Sequence, residues 1–179
     1  MQIRVALLTF VIFIAGFALA QQSMQQTQQS MQSTGMQQPM VTNPEGAYLV
    51  TAPALPDCFT YALERGDLKG SGSVMLIKMS SGCIVPRHWH SANEQITFTS
   101  GTGQIEMQGE QPQTLSAGTY IYMPARHVHQ LTCKDSCTLY RTIDGPNDIH
   151  YVDAAGNEIA VATALAAFGE RPGSAAAQK

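Results

Sequence analysis

The residues best suited to chemistry in this chain are its histidines, and they are unevenly spread. Four of the five (His88, His90, His127 and His129) fall within 42 residues, and the first 87 residues contain none. Residues 82–101, GCIVPRHWHSANEQITFTSG, place His88, His90 and Glu94 within seven residues of one another. Alternate side chains of a β-strand share a face, so His88 and His90 point the same way, about 6.6 Å apart along the backbone. After a Ser91-Ala92-Asn93 turn, Glu94 enters the next strand and can aim an oxygen at the same point. Imidazoles with a carboxylate suit Mn, Fe, Co, Ni, Cu or Zn, whereas Mg and Ca prefer all-oxygen cages. A third nitrogen must come from elsewhere. Residues 124–129, PARHVH, offer His127 and His129, which share parity, and only one is needed.

Such a set needs a rigid frame, and the sequence reads as short strands. From residue 45 to about 153, apolar runs are broken by turn signals about every 8 to 12 residues. Strands are expected over 47–51, 59–63, 73–79, 94–99, 103–107, 119–123, 128–132 and 138–142. Turns are expected at Gly66-Asp67, Gly70-Ser71-Gly72, Ser100-Gly101, Gly109-Glu110 and Asp144-Gly145-Pro146. Glu94, Ile96 and Phe98 alternate with Gln95, Thr97 and Thr99, so Glu94 shares the inward, apolar face. No helix-period segment of useful length lies between 45 and 150, and an all-β barrel or sandwich follows. Residues 157–168, NEIAVATALAAF, can form a short helix stopped by Gly169, and 173–179 read as a frayed end.

These residues resemble the cupin superfamily. Gly82-x5-His88-x-His90-x3-Glu94-x6-Gly101 fits every fixed position of its first motif, and Gly118-x5-Pro124-x-Arg126-x2-His129 approximates its second. The resemblance nominates His129, not His127, as the fourth ligand beside His88, His90 and Glu94. It implies a double-stranded β-helix, the jelly-roll barrel of that superfamily, around one divalent transition ion (Fe, Mn, Ni, Cu or Zn). Two positions depart from the pattern. Arg126 stands where the motif usually has Gly, which suggests that this turn needs no positive φ, and Cys133 stands where it usually has Asn. Neither departure removes a ligand. Trp89 and Arg87 should face outward, with Trp89 packing against an outer layer or partner subunit. His127 reads as a rim residue that orients the site, and His150 as an ordinary strand-end histidine. Tyr120, Tyr122 and Tyr140 lie on strands whose facing the sequence leaves open.

Residues 1–20 read as a secretory signal peptide, with Arg4 in the n-region, a 13-residue apolar core and an Ala18-Leu19-Ala20 cleavage site. A 13-residue helix rises about 20 Å against a hydrocarbon core of roughly 30 Å, which argues against a spanning anchor. The expected organisation is therefore a leader (1–20), a linker (21–44), a barrel (45–155) and an Ala-rich tail (156–179), exported to the periplasm or beyond. Residues 21–40 hold nine Gln and four Met, too little apolar surface to offset the entropy of ordering them. The sharper alternative gives Met24, Met31, Met36 and Met40 a role as soft Cu(I) ligands. The four cysteines permit three pairings. Cys133 and Cys137 could close a hairpin loop, leaving Cys58 with Cys83; the rival idea of Cys133 as a metal ligand places it roughly 13 Å from His129 along one strand.

Losing Arg4 takes the formal charge from −3 to −4, and only 13% of residues are charged. So weak a balance offers no basic stripe for nucleic acid and no polybasic face for membrane. A small-molecule ligand is the expected partner. By resemblance, the leading expectation is a metal-dependent oxidoreductase of the dioxygenase kind, with Glu94 acting as base, and pairing of barrels into a homodimer. The same ion could serve a sugar or keto-acid isomerase or lyase. From a different class comes a non-catalytic metal or small-ligand binding module, favoured because no further carboxylate, serine or lysine constellation stands out; a structural, storage-like unit is weaker. Deleting residues 21–40 is expected to leave folding and metal content unchanged, as checked by circular dichroism and elemental analysis.

Overall fold

The computed structural model describes residues 40–169. The expected leader, residues 21–39 of the expected linker with Met24, Met31 and Met36, and residues 170–179 lie outside the described residues. No helix among the described residues is long and apolar enough to cross a membrane.

Ten strands follow one another: β1 Phe59–Asp67, β2 Gly72–Met79, β3 Ile84–Trp89, β4 Glu94–Ser100, β5 Gly103–Met107, β6 Gln113–Leu115, β7 Tyr120–Met123, β8 His129–Cys133, β9 Cys137–Ile143 and β10 His150–Tyr151. They form two five-stranded antiparallel sheets, ordered β1-β2-β9-β4-β7 and β10-β3-β8-β5-β6. Most neighbours are distant in sequence: β9 pairs with both β2 and β4, and β8 with both β3 and β5. That crossing between sheets makes the expected double-stranded β-helix. A short α-helix, α1 Val161–Gly169, follows the strands.

Period-two patterning fixes which side chains fill the interior. In β4, Glu94, Ile96 and Phe98 are buried while Thr97 and Thr99 are exposed, as their alternation requires. In β9, Cys137, Leu139, Arg141 and Ile143 all point inward. Phe98, Ile105, Leu115 and Leu139 are fully enclosed, each contributing about 1.5–3 kcal/mol through apolar burial. Tyr120 and Tyr122 face outward, and Tyr140 is half-buried.

Two disulfides close the structure, Cys58–Cys83 and Cys133–Cys137, with Cα separations of 5.6 and 5.9 Å. The first ties the approach to β1 to the approach to β3, and so joins the two sheets. The second closes the short connection from β8 to β9, which passes from one sheet to the other and is not the hairpin loop expected, and it excludes Cys133 as a metal ligand.

Several local expectations are corrected. Residues 47–51 make one isolated bridge, Val50 to Tyr61, and no strand. Gly66-Asp67 lies inside β1, where Gly66 adopts φ 92°, and the reversal falls at 68–71. β6 and β10, only three and two residues long, were missing from the expected strands; β3, implied by setting His88 and His90 on one strand, bulges between Val85 and His88 and ends at Trp89, one residue short of His90. The C-terminal helix begins at Val161 because residues before it stay extended, with Glu158 bridged to Val152 and the Ile159 N–H donating to the Tyr151 carbonyl.

The expectation for Arg126 is overturned outright. Its φ is +64°, the one positive value at a non-glycine among the described residues. The β7–β8 turn does demand the left-handed conformation, and here an arginine adopts it at a cost of about 1–2 kcal/mol. The Arg126 N–H donates to the His90 carbonyl at 2.8 Å, and its guanidinium lies 4.9 Å from the centre of the Trp89 ring. That cation–π contact offsets about 0.5–1 kcal/mol of the strain. Arg126→Ala keeps the strain and loses the contact, whereas Arg126→Gly relieves the strain. Chemical denaturation is expected to find Arg126→Gly about 1 kcal/mol more stable than Arg126→Ala. An alanine variant as stable as the glycine variant would count against a backbone constraint at this turn.

Candidate metal centre

The site is built where three strand ends meet. His88 lies in β3, His90 just beyond it, His129 opens β8 and Glu94 opens β4. Registration of β3 against β8 sets His88 directly opposite His129. Between the pairs Val85↔Leu131 and His88↔His129, β3 carries one residue more than β8, a bulge over Pro86-Arg87. Proline suits a bulge because it has no N–H to give the ladder. The extra residue also reverses parity, so Val85 and His88, three apart, both line the same cavity.

Ring centres of His88 and His129 are 4.1 Å apart, those of His88 and His90 4.9 Å, and those of His90 and His129 5.6 Å. All three residues are buried, and one ligand nitrogen from each lies within 4.8 Å of the others. Every Nδ1 is occupied by a backbone carbonyl: His88 by Pro86 at 2.6 Å, His129 by His127 at 3.0 Å, and His90 by Asp148. A carbonyl only accepts, so each Nδ1 carries the proton and each Nε2 keeps its lone pair. This arrangement of outer hydrogen bonds is the one that prepares imidazoles for a cation.

Glu94, 3% exposed, enters from the other sheet. Its Oε1 accepts from Arg141 Nε, while Oε2 lies 3.1 Å from His129 Nε2. By distance the latter is an ion pair, yet Oε2 has no hydrogen-bond donor. With the His129 proton on Nδ1, two lone pairs face each other across 3.1 Å in a buried site. A buried acceptor without a donor is costly, and a cation between the two acceptors removes the cost. The residues present therefore fit a metal ion.

Electrostatics agree. Burial lowers the affinity of His88 for a proton well below the usual 6.5, with the neighbouring His129 and His90 adding to the shift. Burial likewise lowers His90, opposed by Glu94 and reinforced by Arg141. Burial pushes the Glu94 carboxyl up, but the Arg141 guanidinium and His90 more than offset it and hold it well below its usual 4.5. Neutral imidazoles and an ionised carboxylate are the forms that bind cations.

Arg141 is the residue that the sequence reading missed. It is 6% exposed, donates through Nη1 to Asn147 Oδ1, and holds Nη2 at 3.1 Å from Nε2 and 3.3 Å from Nδ1 of His90. Near-equal distances to both ring nitrogens place Nη2 over the ring. The available signal was its inward parity with Leu139 and Ile143, a lone charge in an apolar row.

The other singled-out residues fall into place around this centre. Trp89 faces outward and stacks on His150 at 3.8 Å, nearly parallel at 2°. His150 opens β10 opposite Trp89, so it is a strand-end residue with a packing partner. His127 is half-buried and contributes its carbonyl, while its side chain is absent from the cavity lining. Arg87, half-buried, also stays out of that lining. The four nominated residues border a cavity of about 120 Å³ whose walls include Phe59, Met75, Ile77, Val85, Ile96 and Leu131.

Two antiparallel sheets wound as a double-stranded β-helix thus gather three histidines and a glutamate, a set compatible with a metal ion, inside one barrel. Residues 75–140 match the family model described as Cupin domain, and the strands described above have the fold of such a domain. Similar solved structures include an acetylacetone dioxygenase from Acinetobacter johnsonii, 19% identical over 75% of this chain and 95% of that one, with a TM-score of 0.56. Another is an RmlC-like cupin from Shewanella frigidimarina, 15% identical over 62% and 93% of the two chains, TM-score 0.51. A third is the Cnp3 cupin domain of Schizosaccharomyces pombe, 11% identical over 59% and 74%, TM-score 0.50. No curated protein matches the sequence. At such identities the likeness establishes the fold, and function has to be argued from the site.

The acid response of the metal-free protein follows from these shifts. His88 and His90 bind protons more weakly folded than unfolded, so the unfolded chain gains protons first as pH falls below 6.5. Glu94, depressed below 4.5, contributes stability that is present above that value and lost as pH falls through its lower folded value. All three act in one direction. The melting temperature of metal-stripped protein is expected to drop between about pH 7.5 and about pH 5.5, and further below about pH 4.5. A flat profile over that range would contradict the buried, neutral state of the imidazoles.

Proposed function

We propose that this chain is an exported, metal-dependent cupin oxidoreductase of the dioxygenase kind, acting on a small organic substrate. The observation that carries the reading is the convergence of three buried imidazoles, each with a backbone carbonyl at its Nδ1, and the donorless Glu94 Oε2 on one apolar-walled cavity. In this reading His88, His90, His129 and Glu94 hold the ion. A bound first-row ion with four such ligands keeps one or two positions for small ligands and supplies Lewis-acid or redox chemistry there.

The chain's own residues have separable tasks. The backbone carbonyls of Pro86, Asp148 and His127 orient the three rings. Arg141 holds Glu94 ionised, the form that can bind a cation or accept a proton. Phe59, Ile77, Ile96 and Leu131 exclude water from the reacting volume. The acetylacetone dioxygenase of similar fold supports this assignment, since the same barrel serves a dioxygenase there. Export is supported by the leader-like residues 1–20 and by two disulfides, which persist in oxidising compartments.

One observation favours a non-catalytic binding module instead. Apart from the four nominated ligands and Arg141, the ionisable residues lining the cavity are Tyr61 and Asp148, and the Asp148 carboxylate is taken up by the Ser91 N–H and hydroxyl. Dioxygen uptake by the Fe, Mn, Ni and Cu forms against phenols, thiols and keto acids separates the two readings. Turnover that requires both metal and Glu94 supports the oxidoreductase; saturable binding without turnover supports the module. Removing a ligand tests the metal site itself. His88→Ala is expected to lose bound metal and to lower the melting temperature, because metal bound only by the folded state stabilises it. Unchanged metal stoichiometry in that variant would refute the site.

A further inference from the structure

We propose that the cavity beside the three histidines takes a small organic oxyanion, such as a short carboxylate, whose charged end is held by Arg141. This rests on the metal-site reading above and names the chemical class of ligand. Arg141 is buried in a row of apolar side chains, and it lines the cavity together with Asn147. A guanidinium has five N–H donors. Nε is used by Glu94, one Nη1 proton by Asn147, and Nη2 lies over His90. At least two donors are thus left without an acceptor at the edge of the cavity, and a planar fork of such donors suits an oxyanion.

Charge leads to the same class. Glu94 and Arg141 cancel, and an imidazole that ligates a cation is neutral, so a divalent ion would leave two positive charges uncompensated among these buried side chains. Asp148 offers little relief, because its carboxylate is one-third exposed and its charge is screened by solvent. A neutral ligand would leave that buried charge unpaired, whereas an anion reaching both the ion and Arg141 reduces it. Size narrows the choice. A cavity of about 150 Å³ holds a benzene ring, so one of about 120 Å³ admits roughly six non-hydrogen atoms. Phe59, Ile77, Ile96 and Leu131 then enclose a short apolar body.

The test uses the chain loaded with Co2+, whose visible absorption reports on ligands entering the site, titrated with formate, acetate and pyruvate and with formamide, acetamide and pyruvamide. At least one anion is expected to change the spectrum saturably and to bind at least about tenfold more tightly than its own amide. Arg141→Gln is expected to keep one Co2+ per chain, to weaken that anion by about tenfold or more and to leave the amide unchanged, while Arg141→Lys retains part of the preference. Equal affinity for anion and amide in the wild-type protein, no anion-dependent change at all, or undiminished anion binding by folded Arg141→Gln would overturn the proposal and leave the metal site standing. Failure of the wild-type chain to bind Co2+ stoichiometrically would overturn the metal reading itself. Should Arg141→Gln not fold, the wild-type comparison of anion with amide decides alone.

Discussion

Everything at the centre of this molecule depends on how β3 lies against β8. The ladder sets His88 opposite His129, and the bulge over Pro86-Arg87 turns His88 onto the face that Val85 already occupies. Without that extra residue the two would lie on opposite faces, since strand side chains alternate. The same proline supplies the carbonyl that takes the His88 Nδ1 proton. One residue thus interrupts the ladder, corrects the parity and fixes the tautomer. Glu94 and Arg141 then arrive from the other sheet, on neighbouring strands β4 and β9.

The opposed sheets also divide the electrostatic labour. One contributes lone pairs held by backbone carbonyls; the other contributes a carboxylate whose charge is balanced by a guanidinium. Buried ion pairs are poor stabilisers on their own, because desolvation offsets most of their attraction. The Glu94–Arg141 pair is therefore better understood as a device that keeps a carboxylate ionised inside an apolar barrel. Its second oxygen is left facing an imidazole lone pair, an arrangement with little stabilising value unless something positive joins it. Barrels of this shape carry unlike functions, so it is this local imbalance, more than the fold, that argues for metal chemistry.

Much of this was legible from residue order. Alternation in β4 placed Glu94 inward, spacing set His88 and His90 beside it with either His127 or His129, and the resemblance chose His129; the folded chain brings these four side chains together. The two disulfides follow the pairing that the short Cys133–Cys137 loop suggested. What escaped was non-local or geometric. Arg141 matters because of what β9 faces across the barrel, which no local pattern encodes. The left-handed turn at Arg126 was misjudged because residue type was allowed to decide conformation, whereas the connection that carries the chain from β7 in one sheet to β8 in the other adopts it, with the Arg126 N–H tied to the His90 carbonyl and the Trp89 contact compensating. β6 and β10 are too short to show a period.

The stack around Trp89 has a consequence of its own. It is the one tryptophan in the sequence, its indole clasped between an imidazole and a guanidinium, and its backbone links two of the proposed ligands. Arg126 is tied in turn to the His90 carbonyl. A shift of the ligand pair that moved this backbone would change the surroundings of the chain's one indole. Indole emission, read without a label, would then report on the interior from the barrel wall.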